Sequence, residues 1–447
     1  MKRLKIIAAA AVLFLLSATA TVVHADSKID PGCAYIVMEA RTGQVITERN
    51  ADTRYRPAST TKIMTAIVAL ENGKLDQDMN VSPEAVNDIG PGGMNIGILA
   101  GETGLTLENL LNVMLVKSAN ETANIIAENV GQTRAQFIDM MNKKAQELGA
   151  ANTYFVNPCG KDDLKIEANH LTTPRDLANI ARYAMTIPKF REIVSQEYYK
   201  GLPATNKHST WPVLQNTNKL LWDNNKYPYS INGVQQEFTV EGIKTGFTSA
   251  AGHNLVSAAV NGDGMELICV VMHVTGDTNG AFTTSKELLK YGFEHYSSQL
   301  LVSGSQVVEK GVKVQDAKGD GSLDLVASSD LKAVLPLDKN SQKLQEEKHI
   351  NENIKAPVKQ GDVLGYIEYK NDGVSLGKVD LLAAKNIEQN IKEVVKEKSK
   401  NIFKDIIGSV FVKILLAVII ILLVRKHIRR SIRRKRKKDY ITRKFGE

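Results

Sequence analysis

Ala58-Ser59-Thr60-Thr61-Lys62 stands at the head of an apolar run, Ile63, Ala66, Ile67 and Leu70. That spacing predicts a helix from Ser59 to Leu70, stopped at Asn72-Gly73. Residues three apart share a helix face, with Cβ atoms about 5–6 Å apart, so Ser59 and Lys62 face the same way. A serine hydroxyl is a poor nucleophile until a base takes its proton. A desolvated lysine with a lowered pKa can be that base. Alone, the pair is also what a helix cap beside a surface lysine looks like.

Two further stretches give the pair company. The first is Lys117-Ser118-Ala119-Asn120. Residues two apart do not share a helix face, so Ser118 and Asn120 can act together only from a turn. The sequence provides one, between a helix that Thr106 caps and that runs through Val116, and a helix that Asn120 caps and that ends at Gly131. The bland alternative is that Asn120 is a cap and nothing more. The second stretch is Lys244-Thr245-Gly246, within Val240-Glu-Gly-Ile-Lys-Thr-Gly-Phe-Thr. On a strand, Lys244 and Gly246 share one face and Thr245 takes the other. Gly246 allows close backbone approach, and the Lys244 charge suits a carboxylate. A lysine guarding a sheet edge against aggregation would look the same.

Each signal is weak alone. In the order S-x-x-K, S-x-N, K-T-G, with 59 residues from Ser59 to Ser118 and 126 from Ser118 to Lys244, they make a specific set. With Tyr55-Arg-Pro-Ala-Ser, Gly92-Gly-Met, His170-Leu-Thr-Thr-Pro-Arg-Asp-Leu-Ala, Asn216-Thr-Asn-Lys-Leu-Leu and Ala251-Gly-His-Asn-Leu, the chain resembles the low-molecular-weight D-alanyl-D-alanine carboxypeptidases of the penicillin-binding protein superfamily. The resemblance implies an α/β (α+β) transpeptidase domain like that of penicillin-binding proteins and β-lactamases. A small all-β domain and a C-terminal transmembrane or amphipathic helix would follow it.

The resemblance also implies roles. Ser59 attacks the D-Ala-D-Ala carbonyl of peptidoglycan stem pentapeptides and is acylated. Lys62 is the base, and Ser118 relays a proton to the leaving nitrogen. Asn120 holds the substrate amide, and Lys244, Thr245 and Gly246 form the carboxylate-binding strand. The backbone N–H groups of Ser59 and Phe247 make the oxyanion hole. β-Lactams become covalent inhibitors. An endopeptidase, a β-lactamase and a cell-wall scaffold of weak turnover are the competing readings. Two features depart from the family pattern. Cys159 stands after Asn157-Pro158 where a polar residue is usual, and its thiol is either reactive or a buried small side chain. Gly280-Ala281-Phe282 lacks an arginine that relatives keep before Tyr291-Gly-Phe.

Outside these motifs, Cys33-Ala-Tyr-Ile-Val-Met and Gln44-Val-Ile-Thr-Glu read as a hairpin turning at Gly43. Ala250–Val260 and Met265–Val274 read as two strands around Asn261-Gly-Asp-Gly. Thr173-Pro174 reads as a helix start. Strands at both ends with helices between suggest one mixed domain over 26–297. Short β-prone pieces over 298–384 suggest a β-sandwich. Residues 385–405 read as an amphipathic linker helix.

Net charge is +8, yet the positive charge sits at the ends. Arg425–Glu447 holds twelve Lys/Arg and two acids, and the first 25 residues hold three basic residues and no acid. Subtracting +10 and +3 from +8 leaves −5 between, which argues against a nucleic-acid partner. The start, 1–25, reads as a secretory signal peptide cleaved after Ala25. Apolar residues 406–424, broken by Lys413, give roughly 28 Å of helix, a bilayer's apolar thickness. The basic tail 425–447 then belongs in the cytoplasm and the body outside the cell membrane. Three dispersed cysteines leave at least one thiol outside any internal disulfide. Eight scattered histidines without an H-E-x-x-H pair suggest no metal or other cofactor.

Overall fold

The computed structural model describes residues 29–90, 92–162, 168–222 and 224–445. The expected signal peptide lies outside them. The chain divides into two units. The first takes in residues 29–301, 332–345 and 369–377.

Its centre is a six-stranded sheet. The strands are β1 (Ala34–Glu39), β2 (Val45–Arg49), β3 (Lys226–Ile231), β4 (Val234–Thr248), β5 (Gly252–Asn261) and β6 (Glu266–Val274). Their order is β2-β1-β6-β5-β4-β3, every neighbour antiparallel. The first hairpin of the sequence therefore closes the sheet against its last strands, as the strands-at-both-ends pattern predicts. Gly43 turns that hairpin at φ +78.

Alternation along the strands builds a core on each face. Ile36, Met38, Val256, Ala258, Ile268, Val270 and Met272 point into one cluster, and Tyr35, Val37, Leu255, Ala259, Leu267, Cys269 and Val271 into the other. The first cluster is shared with α1 (Lys62–Asn72), α2 (Leu107–Asn112), α3 (Asn120–Val130), α4 (Arg134–Glu147) and α5 (Pro174–Met185). The second is covered by α6 (Gly280–His295) through Leu288, Leu289 and Phe293. Gly292 lets α6 come this close, since a Cβ there would stand 2.5 Å from Leu267 Cδ1.

The helix starts follow their caps. Thr106 accepts from Asn109 N in a reciprocal capping box, and Thr173 accepts from Asp176 N with Pro174 first in α5. One expectation fails. The cap of α3 is Ala119, and Asn120 is already helical with its side chain turned elsewhere.

The second unit takes in 302–331, 346–368 and 378–447 and is β-rich. It carries most of a five-stranded sheet in the order Val307–Lys313, Ser322–Ala327, Val374–Ala383, Val363–Asn371, Leu344–Ile350. Leu323, Leu325 and Ala327 are buried in strict alternation. The expected linker helix and apolar span are one continuous helix, α7 (Ile391–Phe445), which begins at 391 rather than 385. It is the one described helix long and apolar enough to cross a membrane, consistent with a membrane anchor.

Candidate active site

Ser59 sits on a 3-10 turn, Ala58–Thr61, that leads straight into α1. The turn begins with Ala58 at φ +49, a left-handed conformation that costs an L-residue roughly 1–2 kcal/mol. Gly160 lies against it. A Cβ on Gly160 would fall 1.8 Å from Ala58 O, so only glycine fits. Asn157 Oδ1 fixes Gly160 by accepting from its N–H at 2.6 Å and from Cys159 N–H at 3.1 Å. Asn254, on β5, donates to Arg56 O at 2.9 Å and to Pro57 O at 3.1 Å, pinning the approach to the turn.

Lys62 is fully buried. Its ammonium donates to Ser59 Oγ at 2.9 Å, Asn120 Oδ1 at 2.7 Å and Cys159 O at 2.7 Å. Burial away from water pushes its pKa down to about 8. The Asn120 amide is anchored on its other side, where Nδ2 donates to Ile89 O at 2.7 Å. This explains why Asn120 is no cap: its side chain ties Lys62 to the Ile89 segment.

Cys159 contributes its carbonyl. Its thiol is wholly buried, Sγ lying 3.5 Å from Asn157 Oδ1, so the small-side-chain alternative holds over the reactive one. Cys33, Cys159 and Cys269 form no disulfide.

Ser118 ends the helical stretch before α3 and is left-handed, φ 67 and ψ 24. The last turn leading to it, Val113–Lys117, is a π-helix, a feature common at functional sites. Ser118 is almost buried at 6% exposure, and its hydroxyl makes no hydrogen bond among the described residues.

Lys244, Thr245 and Gly246 run along β4. Gly246 is packed onto the Ser59 turn. A Cβ there would meet Pro57 O at 2.9 Å and the backbone N of Ser59 and of Thr60 at 3.1 Å. Lys244 is 1% exposed, which excludes the edge-guarding role. Burial and the Lys62 charge both push its pKa well down. β4 pairs with β3 only from Val234 to Thr239, so beyond Thr239 that flank has no strand partner among the described residues. Phe247 is 57% exposed at the end of this open edge, its ring stacked on His253 at 4.3 Å.

The sequence reading missed Thr217. Its hydroxyl lies 2.6 Å from Thr245 Oγ1, and its N–H donates to Val116 O at 3.1 Å. It therefore joins the Ser118 turn to the Lys244 strand. Its motif, Asn216-Thr-Asn, was visible, but nothing local pointed to a contact 28 residues away. The first turn of α6, where the arginine is lacking, has no cation of its own. Lys219 reaches it from outside, donating to Asn279 Oδ1 at 2.8 Å.

Residues 19–276, more than half of the chain, match the family described as D-alanyl-D-alanine carboxypeptidase. The chain belongs to that family. It is a serine-type D-Ala-D-Ala carboxypeptidase acting on peptidoglycan, and its family implies peptide substrates from peptidoglycan and β-lactam binding. Residues 296–389 of this carboxypeptidase match the C-terminal domain of penicillin-binding protein 5. It is 31% identical over 361 residues to the D-alanyl-D-alanine carboxypeptidase DacA of Haemophilus influenzae, covering 79% of this chain and 84% of that one. It is 28% identical over 357 residues to DacF of Bacillus subtilis, covering 79% and 85%. Among solved structures, penicillin-binding protein 5 from Haemophilus influenzae is similar at 27% identity and a TM-score of 0.61, covering 80% of this chain and 97% of that one.

Proposed function

We propose that Ser59 is the acylated nucleophile and Lys62 its base. One observation carries this reading. Of the three contacts of Lys62 Nζ, Asn120 Oδ1 and Cys159 O can only accept. A neutral amine has two N–H bonds and one lone pair. With both N–H bonds directed at those acceptors, the lone pair faces Ser59 Oγ, which then donates its proton.

As Oγ bonds to the penultimate D-alanine carbonyl carbon, that proton passes to Lys62. The oxyanion is held by the N–H groups of Ser59 and Phe247, each worth ~3–4 kcal/mol. Ser118 relays the proton from Lys62 to the leaving nitrogen, the C–N bond breaks, and D-alanine departs. Water then hydrolyses the ester, frees the shortened peptide and restores the hydroxyl. Asn120 steadies the substrate amide. Lys244 and Thr245 take the terminal carboxylate, with Thr217 holding the Thr245 hydroxyl. Gly246 lets the strand lie against the Ser59 turn. The peptide enters as an added strand along the open edge of β4. A β-lactam acylates the same oxygen.

In the cell, the domains bounded near 26–297 and 298–384 lie outside the membrane. Residues 406–424 span it, and the basic tail 425–447 is cytoplasmic, since Lys and Arg next to a span stay inside. The net −5 between the two basic ends argues against a nucleic-acid partner. The test uses the full chain in detergent with a pentapeptide muropeptide. One D-alanine is released per peptide, and Ser59→Ala abolishes release. Release by Ser59→Ala at the wild-type rate would overturn the assignment.

A further inference from the structure

Glu121, beside Asn120 in the first turn of α3, has no part in the reaction as described above. It is 1% exposed. Its Oε1 accepts from Ile96 N at 2.7 Å, whereas its Oε2 is buried with no hydrogen-bond partner among the described residues. An orphaned carboxylate oxygen in the interior is costly and needs a reason.

The surroundings supply one. Lys62 and Lys244 are both buried within electrostatic reach of one another, at 0% and 1% exposure. Two ammonium groups withdrawn from water repel each other and lack solvation, so a buried anion close by lowers the cost. Lys62 Nζ touches Ser59 on its own turn, the Cys159 carbonyl and Asn120 from α3. Glu121 is the buried residue next to Asn120 on that helix, and the charges of Glu121 and of Lys244 from β4 both act on Lys62 or are acted on by it. His170 faces the neighbouring Thr61 and is held neutral by burial, its pKa down to about 4. Glu121 is the carboxylate of that set. Burial raises the Glu121 pKa and lowers that of Lys62, and against that burial the charge of each favours the other's ionised form.

We propose that Glu121 is a positioning residue for the Lys62 proton, the buried counter-charge that lets Lys62 hold the proton taken from Ser59 in the presence of Lys244. The inference rests on Lys62 being the base. Loss of the charge leaves Lys62 neutral over a wider pH range but a weaker base.

The test is the pH profile of acylation of the full chain by a fluorescent penicillin. Glu121→Gln keeps an acceptor for Ile96 N–H and removes only the charge. Its acid limb moves to lower pH and its plateau rate falls several-fold, while its melting temperature reports the fold separately. Glu121→Asp keeps the charge, so its limb stays at the wild-type position. A Glu121→Gln profile that superimposes on wild type, or a Glu121→Asp limb that moves as Glu121→Gln does, overturns the proposal. Lys62→Met separates the two ideas. Undiminished acylation in Lys62→Met sinks Lys62 as base. Lost acylation there, with Glu121→Gln unchanged, sinks only the counter-charge.

Discussion

At the scale of single residues, burial decides the chemistry. A lysine in water holds its proton at neutral pH, but Lys62 sits where its pKa falls to about 8. A base works when deprotonated, so acylation should rise with pH and level off above about 8. Stopped-flow trapping of a β-lactam across pH 6–10 checks this; a flat profile would be at odds with a lysine base. Gly160→Ala should abolish acylation by pushing Ala58 and Ser59 out of place, measured by loss of penicillin labelling in a protein that still melts cooperatively. His170 makes a prediction about stability. Its Nε2 meets Thr61 Oγ1 at 2.8 Å, its Nδ1 accepts from Val156 N–H, and burial depresses its pKa from 6.5 to about 4. The unfolded chain takes up the proton first, so the stabilisation is complete above pH 6.5 and is lost as pH falls towards 4. That loss is a few kcal/mol at about 1.4 kcal/mol per unit. Denaturant titrations at pH 7 and pH 4.5 should show a smaller difference in His170→Gln than in wild type.

At the scale of elements, much was legible because the patterns are local. The first hairpin, the helix after Ser59, the Thr106 and Thr173 caps and the strands either side of Asn261 follow from alternation, spacing and capping chemistry within a few residues of each. What the sequence could not show is long-range. Asn120 has the look of a cap, and only the fold reveals Lys62 and Ile89 O as its partners. Thr217 and Asn254 act across 28 and about 198 residues, distances at which no periodicity speaks. Lys244 resembled an edge lysine until burial showed otherwise. The junction of α6 with the sheet gives a test of packing. Phe293 is fully buried among Tyr229, Phe238 and Leu289. Phe293→Ala should destabilise the first unit by about 3–5 kcal/mol in denaturant titration. A change within experimental error would mean that α6 is not part of the cooperative core.

At the scale of the whole molecule, the proposed orientation puts the chemistry outside the cell. The apolar stretch of α7 is flanked at once by Arg425, Lys426, Arg429 and Arg430, so the chain should end inside the cell. Protease added to intact protoplasts should remove the folded units and leave the 425–447 tail protected; a cleaved tail would rule out the spanning orientation. A chain stopped before Ile391 should leave the membrane fraction. The central claim is that Ser59 carries the acyl group. The most direct measurement is intact-protein and peptide mass spectrometry after brief exposure to a penicillin. One adduct per chain is expected, located on the peptide containing Ser59 and missing from Ser59→Ala. An adduct on any other residue, or an undiminished adduct in Ser59→Ala, would contradict it.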